Sequence, residues 1–138
     1  MLTWTPALAV GIAEIDAQHQ ELFRLADAFL EGLQSCSAAD VARMLDFLRN
    51  HARTHFDAEE DWMGEAGYLD LEAHRAEHQR FLSDLEKLSP GDGAAGAAPL
   101  EVASWLVRWL HDHVVRADGA AARFVLARAG GAGQGGRR

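Results

Sequence analysis

Apolar residues recur at steps of three and four along most of the chain, the spacing that places side chains on one face of an α-helix. Four such series begin near Asp16, Ser37, Asp70 and Pro99. The first three of these residues can cap the free N–H groups of a first turn, and proline suits a first turn because its missing N–H would be unpaired there. No segment alternates apolar and polar residues over the length of a strand. The pattern therefore predicts an all-α protein.

Glycine and proline separate the predicted helices. Gly64 and Gly67 are predicted to end the second helix, and the segment 89–99 is predicted to be a loop because it contains two prolines and three glycines. Short connections favour antiparallel neighbours, so we expect an up-and-down four-helix bundle with an N-terminal arm and a short C-terminal helical extension. We assign residues 1–128 to this domain and the glycine-rich residues 129–138 to a flexible tail.

Composition limits the classes of function. The chain has 138 residues, 49% of them apolar, which is enough for one domain with a hydrophobic core. Its net charge of −8 argues against nucleic-acid binding, which needs a basic face. Neither a signal-peptide pattern nor an apolar run of about 18 residues is present, so we expect a cytoplasmic protein. Cys36 is the only cysteine, which excludes an internal disulfide and a thiolate metal site within one chain.

Polar residues occupy six positions that the helical period assigns to the core. They are His19, His55, Glu59, His74, His78 and His113. Burying one unpaired polar group costs about 1–3 kcal/mol. A single buried histidine is more often a hydrogen-bonded core residue than a ligand, but six such residues on four helices need a shared partner. A metal ion would neutralise the carboxylate and accept the imidazole lone pairs, so the sequence predicts a metal centre inside the bundle.

The chain resembles the bacterial hemerythrins from Trp4 to about Phe124. Four pieces carry the resemblance, in this order: W…VGIAEIDAQHQEL, His55-Phe56-x-x-Glu59-Glu60, Tyr68 with His74-x-x-x-His78-x-x-Phe81, and Trp109-Leu110-x-x-His113-x-x-x-x-Asp118. Each piece alone is weak, but their order and separations are specific. The resemblance implies a single-domain protein with a non-haem di-iron centre that takes dioxygen as its ligand.

The resemblance also implies a set of iron ligands. One iron would be held by His74, His78 and His113. The other iron would be held by His19 and His55, and the carboxylates of Glu59 and Asp118 would bridge the two irons. With an oxo or hydroxo bridge, six positions are filled on the first iron and five on the second, which leaves one position for dioxygen. On a regular helix Asp118 would be turned about 140° away from His113. Either the fourth helix is distorted there, which Gly119 would permit, or the carboxylate reaches the site from a different angle.

The function that the resemblance implies is reversible dioxygen binding by a carrier, store or buffer, and not an enzymatic activity. Five neutral imidazoles favour binding over cleavage of dioxygen, because the carboxylate-rich di-iron sites of ferritin-like proteins use four carboxylates. An oxygen or redox sensor with a separate partner, a di-iron reductase of peroxide or nitric oxide, and a zinc or mixed-metal store are the alternatives. The resemblance further implies a monomer.

Other residues are assigned minor parts. Apolar walls that exclude water are expected around the site, although ordinary core packing explains the same residues equally well: Phe56, Phe81, Trp109, Leu22 and Leu106. We expect Trp4 to pack over the bundle, His111 to be exposed, and His51 to lie beside the site or at the surface without being a ligand. Glu60 is expected on a solvated helix face, with no role at the metals.

Overall fold

Four helical rods make up the protein in a computed structural model, which describes residues 3–89 and 97–135, with side chains up to residue 128. The elements are a 3-10 turn Pro6–Leu8, α1 Ala13–Glu31, a 3-10 turn Leu33–Ser35, α2 Ala38–Ala66, α3 Leu71–Leu88, α4 Pro99–Trp109, a π-helical segment Leu110–Asp118 and α5 Gly119–Gly135. The last three elements run on without a break, so they form one rod. Helix α2 packs against both α1 and α3, and α1 packs against α4. The described ranges contain no strand, and the predicted all-α bundle is confirmed.

The start of α2 agrees with its predicted cap. The Ser37 hydroxyl accepts a hydrogen bond from the Asp40 N–H at 3.1 Å, and the Asp40 carboxylate accepts one from the Ser37 N–H at 2.9 Å. This is a capping box in which two otherwise unpaired N–H groups are satisfied. Pro99 is the first residue of α4, as predicted.

The predicted start of α1 at Asp16 is wrong. The helix begins at Ala13, and the Asp16 carboxylate accepts hydrogen bonds from the backbone N–H groups of Val10 at 2.8 Å and Gly11 at 3.2 Å. Asp16 therefore ties the N-terminal arm to the first turn instead of capping the helix. Asp70 does precede α3, but its side chain makes no capping bond.

The end of α2 distinguishes its two glycines. Gly67 lies directly after the helix with a φ of 70°, in the left-handed region that favours glycine. Gly64 lies inside the helix and does not end it. The predicted loop is only partly described, since residues 90–96 lie outside the described ranges. The boundary at 128 and the flexible tail stay predictions, because no side chain after 128 and no backbone at 136–138 is described.

Two apolar clusters form the core at different levels of the bundle. The larger contains Leu22 of α1 and Phe56 of α2, and Trp4 of the arm packs against it as expected. The smaller contains Ile15 of α1 and Met63 of α2. His19 of α1 and Glu59 of α2 lie between these levels, so apolar packing fixes the two helices on both sides of them. None of the described helices could span a membrane.

Candidate metal centre

All seven predicted site residues meet inside the bundle. Each is at most 3% exposed: His19, His55, Glu59, His74, His78, His113 and Asp118. One comes from α1, two from α2, two from α3 and two from the π-helical segment. A buried carboxylate among buried imidazoles is stable only when its charge is compensated. Every rod thus contributes to one polar centre.

The two carboxylate oxygens of Glu59 face different histidines. Its Oε1 lies 3.0 Å from Nε2 of His78, while its Oε2 lies 3.1 Å from Nε2 of His55 and 3.2 Å from Nε2 of His19. The donor atoms of Glu59, His74, His78 and His113 lie within 4.8 Å of one another, and so do those of His19, His55, Glu59 and Asp118. Each group is compact enough to hold a metal ion, and Glu59 belongs to both.

Asp118 has a similar two-sided position. Its Oδ1 lies 2.8 Å from Nε2 of His74 and 3.2 Å from Nε2 of His113, and its Oδ2 lies 3.2 Å from Nε2 of His19. Each oxygen therefore faces a different set of histidines. This is the arrangement that a carboxylate bridging two metal ions requires.

The π-helical segment explains how Asp118 reaches the site. It contains both His113 and Asp118, which lie five residues apart. A π-helix bonds residue i to residue i+5, so residues at that spacing share a face, whereas in an α-helix they do not. Of the two alternatives, the structure has the distorted helix. Gly119 keeps an ordinary helical φ of −62°, so the freedom of glycine is not used there.

The outer nitrogens of three rings have acceptors. His55 Nδ1 lies 2.7 Å from Gln18 Oε1, His78 Nδ1 lies 2.8 Å from Glu60 Oε2, and His113 Nδ1 lies 3.1 Å from Glu77 Oε1. Because these oxygens only accept, we infer that Nδ1 carries the ring proton in each case. The Nε2 lone pair then points into the centre, which is the tautomer that a metal ligand needs.

The inner nitrogens test whether a cation fits. Nε2 of His19 lies 3.0 Å from Nε2 of His55, and Nε2 of His78 lies 3.0 Å from Nε2 of His113. Facing lone pairs repel unless a proton or a cation lies among them. Among the described residues, His74 Nε2 and both Asp118 oxygens are buried without a hydrogen-bond partner, so the short His74–Asp118 distance is not a hydrogen bond. Imidazole nitrogens and carboxylate oxygens suit divalent transition metals, and these residues fit such ions.

The pKa values show the same demand for positive charge. Burial alone would lower the pKa of His19, but the Asp118 and Glu59 carboxylates together raise that pKa to about 9. Burial would likewise raise the pKa of Glu59, but the neighbouring imidazoles, His55 foremost, hold it well below the ordinary value. The carboxylates are thus ionised, and the centre takes up protons where no metal ion is bound.

Comparison with known proteins identifies the family. The model of the Hemerythrin HHE cation binding domain matches residues 10–123. The chain belongs to the hemerythrin family. It is 28% identical over 124 residues to a bacteriohemerythrin of Clostridium acetobutylicum, covering 86% of this chain and 96% of that protein. It is also 30% identical over 127 residues to a bacteriohemerythrin of Stenotrophomonas maltophilia, covering 92% and 83% respectively. A hemerythrin-like protein of Naegleria gruberi is 30% identical over 115 residues, covering 83% and 86%.

Aromatic rings cover two histidines of this hemerythrin domain. Phe56 stacks on His78 with the ring centroids 3.8 Å apart, and Trp109 stacks on His113 at 4.0 Å. Phe81 contacts both Phe56 and Trp109. The two expected leucines are also buried in the larger apolar cluster. These residues both pack the core and hold the imidazole rings in place.

Several residues differ from expectation or were missed. Glu60 does lie off the buried face, with its side chain 22% exposed, but it is not simply solvated, because it accepts the Nδ1–H of His78. Gln18 and Glu77 were not predicted, although each directly precedes a predicted ligand. His51 lies beside the site, where its ring stacks on His55 at 5.2 Å. His111 is exposed, as expected.

Proposed function

We propose that this protein binds dioxygen reversibly at a di-iron centre. Two adjacent donor groups that share carboxylates carry the proposal. One iron would be held by His74, His78 and His113, the other by His19 and His55, with Glu59 and Asp118 between them. The two ferrous ions would supply the two electrons that dioxygen takes up on binding.

The unequal number of imidazoles supports a place for the ligand. The group around His19 and His55 offers one histidine fewer than the other group, while both carboxylates face both groups. A small molecule can therefore add on the two-histidine side without displacing a protein ligand.

Burial of the centre supports reversible binding. All seven donors are at most 3% exposed, and stacked rings of Phe56 and Trp109 close two sides. Exclusion of water protects a reactive centre from side reactions and from loss of charged products. In this proposal the aromatic residues exclude water from the centre, while dioxygen, which is small and apolar, passes between them.

The charge of the ligand set favours binding over oxidation of a substrate. Five imidazoles are neutral in their metal-binding form, so Glu59 and Asp118 contribute the only negative charge from the seven proposed ligands. Di-iron sites of ferritin-like proteins use four carboxylates. More anionic ligands stabilise higher oxidation states, and the present set has fewer of them. We accordingly propose a non-enzymatic oxygen carrier, store or buffer, and the resemblance to the bacterial hemerythrins supports a monomer.

The decisive experiment loads metal-free protein with ferrous iron under anaerobic conditions and then cycles oxygen. We expect about two irons per chain and a visible absorption band that appears with oxygen and disappears when oxygen is removed. Zinc-loaded protein is the matched control, because zinc has no redox chemistry and should give no band. Iron-loaded protein without a spectral change would overturn the proposal. Irreversible oxidation, with turnover of peroxide or nitric oxide when an electron donor is added, would favour a reductase instead.

A further inference from the structure

The outer sides of the histidine rings differ between the two donor groups. In the three-histidine group, His78 and His113 each give the Nδ1 proton to a carboxylate, Glu60 at 2.8 Å and Glu77 at 3.1 Å. In the two-histidine group, His55 gives it to the neutral amide of Gln18 at 2.7 Å. The remaining ring of that group, His19, has its Nδ1 buried with no hydrogen-bond partner among the described residues. The anionic acceptors thus stand on one side only.

Both outer carboxylates lie near an arginine side chain. Their side chains reach the surface, with 22% of Glu60 and 35% of Glu77 exposed. Arg75 Nε lies 3.2 Å from the first carboxylate, and Arg116 Nη2 lies 3.9 Å from the second. An arginine therefore stands beside each outer carboxylate, and each carboxylate in turn bonds a histidine that faces the centre.

An anionic acceptor changes the ring that donates to it. It draws the Nδ1 proton outward, which increases electron density at Nε2 and makes that nitrogen a stronger metal ligand. A stronger donor stabilises the more positive of two oxidation states. A neutral amide orients the ring equally well but has a weaker effect on its electron density.

We propose that Glu60 and Glu77 are positioning residues that act through His78 and His113 to make the three-histidine metal site the more easily oxidised of the two. Gln18 acts through His55 to keep the two-histidine site less donating. This inference rests on the proposed di-iron function and assigns the difference between the two metals to three outer residues. The site with room for a ligand is then the one that loses an electron less readily.

The hydrogen bonds can be tested without iron. Zinc-loaded protein is diamagnetic, so nitrogen-15 NMR can report which nitrogen of each histidine carries the proton. We expect the proton of His78 and His113 on Nδ1 and strongly deshielded, and we expect the deshielding to decrease in Glu60→Gln and Glu77→Gln. A proton on Nε2 of these rings, or a deshielding that the substitutions do not change, would overturn the inference.

The redox effect is tested in iron-loaded protein by potentiometry. Glu60→Gln and Glu77→Gln should raise the midpoint potential of the first oxidation, Gln18→Glu should reduce the difference between the two sites, and each glutamine variant should weaken metal binding roughly 10–100-fold. Asp61→Asn and Asp84→Asn are matched controls, because they remove the same charge from α2 and α3 at side chains that bond no histidine in the described structure.

The controls separate a specific effect from a general one. Equal shifts in the control variants would overturn the inference, since loss of any nearby charge would then explain them. Unchanged potentials in Glu60→Gln and Glu77→Gln, with two irons still bound, would overturn it as well. Neither measurement depends on reversible oxygen binding, so failure of the proposed function would be recognised separately by an absent oxygen band.

Discussion

At the residue scale, Glu59 is the side chain on which the centre depends most. Its two oxygens lie between 3.0 and 3.6 Å from the Nε2 atoms of all five predicted histidine ligands. A buried carboxylate without compensation would cost several kcal/mol. The burial of Glu59 and the burial of the histidines therefore depend on each other. A single histidine of this set could not be interpreted alone because most of its partners lie on other helices.

Replacing one buried histidine of the centre should disrupt it, whereas replacing an exposed histidine elsewhere should not. His74→Ala removes a donor of the three-histidine group, so bound iron should fall below two per chain and the oxygen band should be lost. His111→Ala is the matched control on the fourth rod, because its side chain is 81% exposed. Iron analysis and visible spectra of both variants check this. Two irons and a normal band in His74→Ala would contradict its assignment as a ligand.

The sequence predicted the inner residues of the centre but not the outer ones. The helical period indicated six of the inward-facing side chains and the family resemblance added Asp118, and all seven residues do meet. The outer partners follow a different rule, because each bonds a histidine from another helix: Gln18 of α1 bonds His55 of α2, and Glu77 of α3 bonds His113 of the fourth rod. No local pattern contains that pairing. Glu60 was correctly predicted to lie off the buried face, but its hydrogen bond with His78 of α3 was not predicted.

At the element scale, the fourth rod carries the most informative departure from regular structure. The step of five between His113 and Asp118 conflicts with an α-helix, and the rod responds with the π-helical segment Leu110–Asp118. Such segments are rare overall, and those that do occur are frequently found at functional sites. With Asp118 assigned by the resemblance, the spacing indicated either a distorted helix or a different angle of approach. The type and extent of the distortion depend on packing that the sequence does not show.

Helix ends were predicted unevenly for a physical reason. The capping box at Ser37 is entirely local, so its residues suffice to predict it. Asp16 was misinterpreted because a carboxylate can accept N–H groups from either direction along the chain. Here it bonds Val10 and Gly11 of the preceding arm. The position of the arm depends on its own packing, and the residue type at a helix start does not indicate that packing.

Two glycines near the end of α2 should respond to alanine with opposite signs. Gly67 has a φ of 70°, so Gly67→Ala should lower the free energy of unfolding by about 1 kcal/mol. Gly64 is helical, and an added Cβ would only touch Leu71 Cδ2 at 3.8 Å, so Gly64→Ala should raise it by up to about 1 kcal/mol. Chemical denaturation of both variants checks the signs. Equal effects would contradict the left-handed assignment of Gly67.

At the scale of the whole molecule, the polar centre lies between two apolar clusters and makes stability depend on its charge. The clusters hold the helices together on both sides, so the donors are brought close whether or not a metal ion is bound. Without metal, protons must supply the positive charge that the two carboxylates require. The stability of metal-free protein should therefore respond to pH more strongly than that of metal-loaded protein.

Metal-free protein should be most stable near pH 6.5. The pKa of His19 rises from 6.5 to about 9 despite its burial, because of the Asp118 and Glu59 carboxylates, so its contribution is present below pH 6.5 and is lost as the pH rises through 9. Burial and the charge of His55 lower the pKa of His51 from 6.5 to about 4, so its contribution is present above pH 6.5 and is lost as the pH falls through 4. Each contribution is about 3 kcal/mol at most.

Thermal unfolding between pH 4 and 10 measures both losses. His51→Phe should flatten the acid side of the metal-free profile, and His111→Ala should leave both sides unchanged because that histidine is exposed. Metal ions occupy the Nε2 lone pairs, so metal-loaded protein should lose the alkaline decline, while acid should release the metal as protons compete for the imidazoles. An alkaline decline of equal size with and without metal would show that His19 does not take up a proton in the metal-free centre, since only a free lone pair can do so.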